Sequence, residues 1–469
     1  MSLDISKKLR SDYYFSTKEK VSIVYMLSMP AILAQISEIV MQYIDAAMVG
    51  TLGAGASASI GLVASSTWLF GGLLSATAAG FAVQVSHAVG AGDNKRAKSV
   101  FKQSILATIG FSMILLLLAA FLSFRLPMWL GAEESLWVDA TNYFFVFALF
   151  IPIRMMSTLS MNMLQCSGNM KIPSIFLTLM CILDVIFNYF LIFPTRTISI
   201  FGSEMKMFGA GLGVLGAQLG TSLSVLCAGG AVFLYAIFKS DVLNLKGFKG
   251  SWMPKEEVIS NAIHISIPMA FQQSGLSLAQ VISTRIIAPL GTIAIAAHSF
   301  AVTAESICYM PGFGISSAAT TLVGQSIGAK NKHMAKSFAW LTLSLAVILM
   351  SVFGLLMYFF CPYVFKFLTP VEEVQALGAS VLRIQLLVEP LFAAAIVATG
   401  ALRGAGDTMV PGIINVGSMW LVRLTLAFIL SSRLGLHGCW IAMAVDNSLA
   451  GILLMLRLKG KSWLKKAEV

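Results

Sequence analysis

The residues of this sequence that could do chemistry are acidic side chains set inside apolar runs. Glu38, Asp45, Asp184, Glu305, Glu389 and Asp446 all lie in stretches otherwise dominated by Leu, Ile, Val, Ala, Phe and Met. A charge at mid-bilayer costs on the order of 2.5–3.5 kcal/mol on insertion scales, so it normally faces a partner or a wet cavity. Glu38 and Asp45 are seven residues apart, which on a helix places them on one face, about 10 Å apart along the axis. Asp184 and Asn188, four apart, share a face of another helix. If the two helices adjoin, three carboxylates meet at one level, and the natural ligand is a cation. Desolvation and neighbouring negative charge both disfavour the ionised carboxyl, so at least one member could hold a proton near neutral pH. Alternatively, Asp45, Asp184 and the Asn188 carbonyl could ligate Na⁺ through oxygen. The plainer alternative for Asp45 is a hydrogen bond to backbone near the membrane interface.

These side chains need long helices to carry them. The 469 residues are 57% hydrophobic and 11% charged, with a mean hydropathy of +0.84, a balance that a soluble core cannot absorb. Apolar runs of about 20 residues or more, enough to cross a bilayer as helix, are expected near 22–49, 58–86, 100–124, 138–164, 172–194, 208–238, 257–289, 294–325, 335–366, 375–401, 411–431 and 438–458. No run of alternating polar and apolar residues suggests a spanning barrel. The fold class is an all-α membrane protein with twelve transmembrane helices. The run after the basic first 20 residues is too long for a signal-peptide core, so no cleaved leader is expected. Six cysteines without metal or redox spacing read as small apolar fillers.

The net charge of +11 is a topology signal rather than a nucleic-acid footprint. Of 32 lysines and arginines, five (Arg125, Arg196, Lys206, Lys366 and Arg433) fall on the side of the spans opposite the N-terminus. Both termini are therefore expected in the cytoplasm of a cell inner-membrane protein, with anionic lipid contact as a secondary effect. In that orientation Glu38 lies near mid-depth, Asp45 in the outer half, and Asp184 at mid-depth to outer depth.

The chain also contains its own copy. Pro30 and Pro268, Gly53 and Gly291, Gly90 and Gly328, Pro152 and Pro390, and Gly168 and Gly406 are each separated by 238 positions. "VGAGDNKRAKS" matches "IGAKNKHMAKS" in this register. Beyond it the spacing falls to 222, which leaves extra residues that fit the external loop "TRTISIFGSEMKMFG". Six spans per copy is an even number, so the copies enter the membrane from the same side and form two six-helix lobes about a pseudo-twofold axis along its normal. The expected division is an N-terminal lobe over 1–238, a cytoplasmic linker over 239–256 and a C-terminal lobe over 257–469. Such lobes can rock about a central site.

The blocks "IDAAMVGTLG", "LQCSGNMKIP", "YMPGFGISSAATTLVGQSIGAKN" and "ALRGAGDTMVP" resemble the MATE (multidrug and toxic compound extrusion) family over nearly the whole chain. The resemblance implies a twelve-helix secondary transporter exporting amphipathic, mostly cationic organic compounds by antiport with H⁺ or Na⁺. No cofactor is expected, and a monomer is. The sixth-span "GAQLGT" resembles the family segment whose threonine joins an N-lobe cation site, which adds Thr221 to Glu38, Asp45, Asp184 and Asn188 as cation-coupling candidates. Members with that site read Asn, three residues, then Asp in the fifth span; "DVIFN" carries the same pair in reverse order. The NorM-type branch has a glutamate in the seventh span and an aspartate in the tenth. Leu276 and about Leu391 stand there, so that second cation site is expected to be absent.

Other polar groups are candidates for substrate. Glu305 in "TAESICYMPGFG" has no cationic partner within a helical turn; Gln272 and Gln273 are the polar groups of the seventh span; Glu389 precedes Pro390, where a proline-loosened turn frees carbonyls. Structural hydrogen bonds or an ion pair with Arg383 are the competing readings. Arg423 sits one position past the repeat-equivalent of Asp184 and could pair with Glu389, Glu305 or Asp446; Arg154 poses the same question. The turns "GAGDNK", "GAKNK" and "RGAGDT" lack the phosphate-loop pattern, and no nucleophile or metal constellation appears, so an enzyme is not expected. A lipid-linked precursor flippase is the alternative transporter, and an ion channel fits poorly with two lobes.

Overall fold

The computed structural model describes residues 2–11, 13–131, 133–200 and 203–464. A short helix, Ser2–Arg10, precedes the first span, Thr17–Gly50; the second and third are Ala54–Ala91 and Asn94–Ser123. The fourth is broken into Glu134–Leu149 and Ile151–Cys166, the fifth is Lys171–Ile192, and the sixth runs as Gly213–Ser224, Val225–Gly229 and Gly230–Phe238. The second set repeats this order: Glu256–Ile287, Thr292–Gly328, Lys332–Leu368, the broken pair Glu372–Leu386 and Glu389–Gly404, then Met409–Ser418, Met419–Leu424 and Thr425–Leu434, and last Leu436–Lys459. Among the described residues nine helices are long and apolar enough to cross a membrane, and the two broken pairs qualify as bent spans. Glu256–Ile287, the most polar of the long helices, completes the twelve.

Repeat-equivalent residues make equivalent local structure. The broken spans bend by 52° and 57° just before Pro152 and Pro390, each of which lacks the N–H needed to continue the preceding helix. Asp93 caps the third span through the Arg96 N–H at 2.8 Å, and its counterpart Asn331 caps the ninth through the Met334 N–H at 3.0 Å. Gly53 and Gly291, at φ of +110° and +98°, turn the chain between the first two spans of each lobe in a conformation that a side chain would oppose.

The lobes meet most closely at the end that carries both termini, where the second and eighth spans cross. A Cβ on Gly90 would lie 2.0 Å from the Gln325 carbonyl oxygen, and one on Gly328 would lie 2.0 Å from that of His87. Since 87 and 325 are also repeat partners, the contact is reciprocal about the pseudo-twofold axis. The hydrogen bonds reciprocate too: His87 Nε2 lies 2.8 Å from the Gly404 carbonyl, and Gln325 Nε2 donates to the Cys166 carbonyl at 3.2 Å. The N-terminal helix covers this seam. Its Ile5 and Leu9 are buried beside Leu322, Met334 and Phe338, and Asn331 Nδ2 donates to the Leu9 carbonyl at 3.2 Å.

Two local features differ from the sequence expectation. Residues that read as an irregular external loop form an antiparallel hairpin, Pro194–Ile200 with Ser203–Ala210, so the sixth span starts at Gly213 rather than 208. The hairpin puts its backbone hydrogen bonds into a ladder instead of water, and Arg196 stacks over Tyr189 and Phe193, 4.3 Å from each ring centre. Residues 201 and 202 of that loop lie outside the described residues. The eleventh span contains a wide π turn at Met419–Leu424, which inserts one residue into the helix and accounts for the one-position offset of Arg423 from Asp184.

Candidate functional site

The first, fifth and sixth spans pack together and converge on one largely buried polar cluster, in which Asp45 and Thr221 are half-buried. Asp184 is 0% exposed and Asn188 1%, on the inward face that their four-residue spacing creates. Asn188 Nδ2 donates to Asp45 Oδ1 at 2.9 Å and to Asp184 Oδ2 at 3.1 Å. The carboxyl groups of Asp45 and Asp184 also face each other within hydrogen-bonding reach, and the Thr221 hydroxyl approaches Asp184 while back-bonding to the Ala217 carbonyl at 3.1 Å. Ser224, one turn along, donates to Asp184 Oδ1 at 3.5 Å.

Small residues make the room. A Cβ on Gly220 would lie 2.0 Å from Asn188 Oδ1, so the amide packs directly on the sixth-span backbone. That Oδ1 is buried with no hydrogen-bond partner, leaving an acceptor aimed at the cluster without a donor. Among the described residues no lysine or arginine comes within ion-pair distance of Asp45 or Asp184. Arg154 supplies a longer-range positive field, with the Tyr143 phenol also near the cluster. Its guanidinium lies 5.1 Å from the Phe147 ring centre, and its Nε has no partner.

Four of the five cation-coupling candidates, Asp45, Asp184, Asn188 and Thr221, thus come together. The reversed order of Asp and Asn still brings both types to the cluster, with the amide bridging the carboxylates. Glu38 does not join it: it stands towards Cys181, one turn before Asp184, and has no hydrogen bond to the pair. Ser224, Tyr143 and Gly220 were not singled out from the sequence. Ser224 is recoverable from the repeat, because the 222 spacing pairs it with Asp446.

That pairing shows how the lobes diverged. Where the N-terminal lobe places Asp184 against Ser224, the C-terminal lobe places Arg423 against Asp446, with Arg423 Nη1 4.0 Å from Asp446 Oδ2. Ser418 donates to the same carboxylate. Asp45 has Ser283 as its counterpart. The C-terminal lobe therefore holds a built-in cation where the N-terminal lobe has paired acids. Arg383 donates instead to the Tyr358 carbonyl at 3.3 Å, away from Glu389.

The substrate candidates do not form one wall. Glu305 and Glu389 are 4% and 0% exposed inside the C-terminal lobe. Glu389 packs on Gly354 of the ninth span, and neither of its carboxyl oxygens has a hydrogen-bond partner. Gln385 faces Glu305. Gln273 lies against Gly72 at the seam between lobes, whereas Gln272 turns towards Gly412 of the eleventh span. The turn "RGAGDT" is structural: Asp407 accepts from Arg457 Nη2 at 2.6 Å and Nε at 2.9 Å.

Comparison with known proteins gives this arrangement its relatives. A probable multidrug resistance protein NorM of Thermotoga maritima is 28% identical over 446 residues, covering 94% of this chain and 92% of the relative. An uncharacterized transporter, YisQ, of Bacillus subtilis is 25% identical over 397 residues, 84% of each chain. Among solved structures, MATE in complex with MaL6 superposes with a TM-score of 0.86 at 20% identity, covering 98% of this chain and 99% of that one. An outward-facing multidrug resistance MATE family transporter of the MOP superfamily gives 0.86 at 18% identity, covering 99% and 98%. The MatE family model matches twice, over residues 30–190 and 268–429, beginning in the 238-residue register of the internal repeat. With both lobes matched, over more than half its length, the chain belongs to the MatE family.

Proposed function

We propose that the chain is a secondary active transporter, not an enzyme, that exports amphipathic, mostly cationic organic compounds across the cell inner membrane in exchange for an inward-moving cation. The names of its curated relatives support multidrug efflux. The observation that carries the coupling mechanism is the Asp45–Asn188–Asp184 bridge, in which Asp184 and Asn188 are buried, Asp45 is half-buried, and no lysine or arginine among the described residues is ion-paired to either acid. Two carboxyl groups brought onto one amide donor repel each other when both are ionised, and a proton on either relieves that repulsion, which supports H⁺ as the coupling ion. Na⁺ is the second reading, favoured by the orphaned Asn188 Oδ1, an oxygen ligand beside two carboxylates.

In this mechanism the ion-free cluster carries net negative charge that a buried site resists, and uptake of the ion neutralises it. The first span, which carries Asp45, also packs along the eighth span of the other lobe: Gly314 sits against Ile32, and Tyr43 Oη donates to the Thr303 carbonyl at 3.2 Å. A change in how Asp45 is held is thereby passed to the seam between lobes. The two lobes, taken as 1–238 and 257–469 joined by the linker 239–256, rock about that seam, with both termini in the cytoplasm. The lobes function within one monomer.

Efflux of a fluorescent organic cation from proteoliposomes tests this reading, with a pH gradient alone and a Na⁺ gradient alone. The proton mechanism requires export driven by the pH gradient and none driven by Na⁺. Drive by neither gradient would remove ion-coupled antiport.

A further inference from the structure

We propose that the groove between the first and ninth spans at the termini face binds the phosphate headgroup of an anionic phospholipid from the adjoining leaflet, cytoplasmic in the orientation proposed above. The groove is lined by Thr17 and Lys20 from one lobe and by His333, Lys336, Ser337 and Trp340 from the other. Lys20 Nζ donates to Ser337 Oγ at 3.0 Å across the seam. Among the described residues neither Lys20 nor Lys336 has a carboxylate within ion-pair distance. Two ammonium groups, an imidazole, two hydroxyls and an indole thus converge at a membrane boundary, and their chemical complement is a phosphodiester.

The repeat shows what such a seam takes when it is filled. Ser99, Lys102 and Gln103 on the third span are the counterparts of Ser337, Trp340 and Leu341. There the linker occupies the seam. Lys102 Nζ donates to the Gly250 carbonyl at 2.6 Å and the Phe248 carbonyl at 3.4 Å and lies 4.6 Å from the Trp252 ring centre. The Lys255 N–H donates to Gln103 Oε1 at 2.8 Å. In that seam a lysine sits between acceptor oxygens and an indole. In the open seam the lysines and the indole are present, and among the described residues no such carbonyl oxygens are supplied to Lys336. Phosphate oxygens complete the same set.

An apolar stripe leading away from the groove indicates a lipid rather than a free anion. Along the ninth span the exposed face continues as Ile348, Val352 and Leu355, 62%, 50% and 60% exposed, at steps of three and four residues from Ser344. An acyl chain attached to a phosphate in the groove would lie on that stripe. Because Lys20 and Lys336 belong to different lobes, the bound headgroup holds the termini face closed.

The test uses the purified full chain in detergent micelles, with phosphatidylglycerol or phosphatidylcholine added and retained lipid read by native mass spectrometry. Wild type should retain phosphatidylglycerol preferentially. Lys20→Gln with Lys336→Gln should weaken that retention on the order of tenfold or more, the weight of two lysines at an anionic surface. Lys95→Gln with Lys98→Gln, an equal charge loss on the same face, should keep the wild-type preference. Thermal unfolding in phosphatidylcholine alone establishes that both variants are folded. Equal loss in both pairs would reduce the effect to general surface charge and overturn the site. Competition by inorganic phosphate as effective as that by phosphatidylglycerol would overturn the lipid assignment. Retention is read without transport, so failure here leaves the ion-coupling mechanism untouched.

Discussion

Asn188 on the fifth span donates to Asp45 on the first at 2.9 Å, and through the same amide nitrogen it holds Asp184 at 3.1 Å. One neutral side chain thus fixes two acids from different helices on a shared donor. Replacing it with leucine leaves the buried Asp184 and the half-buried Asp45 without their shared donor, at a cost of about 1.5–3 kcal/mol for hydrogen bonds to charged groups. Asn188→Leu should lower the unfolding transition and abolish gradient-driven efflux. Asn188→Ser, which keeps a donor, should retain part of both.

The space for that amide comes from Gly220. Gly220→Ala places a methyl group 2.0 Å from Asn188 Oδ1 and against its Cγ at 3.0 Å, so the amide must move. Coupled efflux should fall on the order of tenfold, equivalent to about 1.4 kcal/mol of lost coupling. Gly230→Ala on the same span, with nothing within 4 Å of the added carbon, serves as the comparison and should be close to wild type.

Closure of the termini face rests on Gly90 and Gly328, whose added Cβ atoms would each strike a backbone carbonyl of the opposite lobe. Gly90→Val and Gly328→Val should both hold that face open, with similar losses of efflux, because the contact is reciprocal. Distances between spin labels placed on the third and ninth spans should broaden and lengthen in both variants. A wild-type distance distribution in either one would show that this crossing does not control closure.

Arg423 and Asp446 form a largely buried pair, with side chains 16% and 7% exposed, and breaking one side leaves an uncompensated charge. Arg423→Met or Asp446→Leu alone should destabilise by about 3–5 kcal/mol, whereas the double replacement should recover most of the loss. Thermal unfolding of the single and double variants checks this. If the pair is structural, the double variant also keeps the wild-type choice of coupling ion.

Much of this was legible in the sequence, and the reasons are specific. The spans followed from the length of apolar runs, and the lobes from Pro152 and Pro390, Asp93 and Asn331, and Gly90 and Gly328 recurring at one spacing. Helical periodicity put Asp184 and Asn188 on one face, and the structure sets that face against Asp45. Periodicity did not say how far along the helix a contact extends: Glu38 shares a face with Asp45, and the Asn188 bridge joins Asp45 to Asp184 alone. The hairpin at 194–210 was missed because the apolar run blends into it, and the π turn at Met419–Leu424 has no marker in residue types. For Glu305 and Glu389 the sequence left a substrate role and a structural one both open, because a carboxylate in a span implies either a wet wall or a buried partner; both side chains are buried.

The central claim is that Asp45 and Asp184 together take up the coupling ion. It is tested most directly by efflux from proteoliposomes of Asp45→Asn and Asp184→Asn, normalised to folded protein and run with and without the driving gradient. The mechanism predicts that each variant loses gradient-driven export while substrate exchange across equilibrated membranes persists. Wild-type driven export in both variants would contradict it.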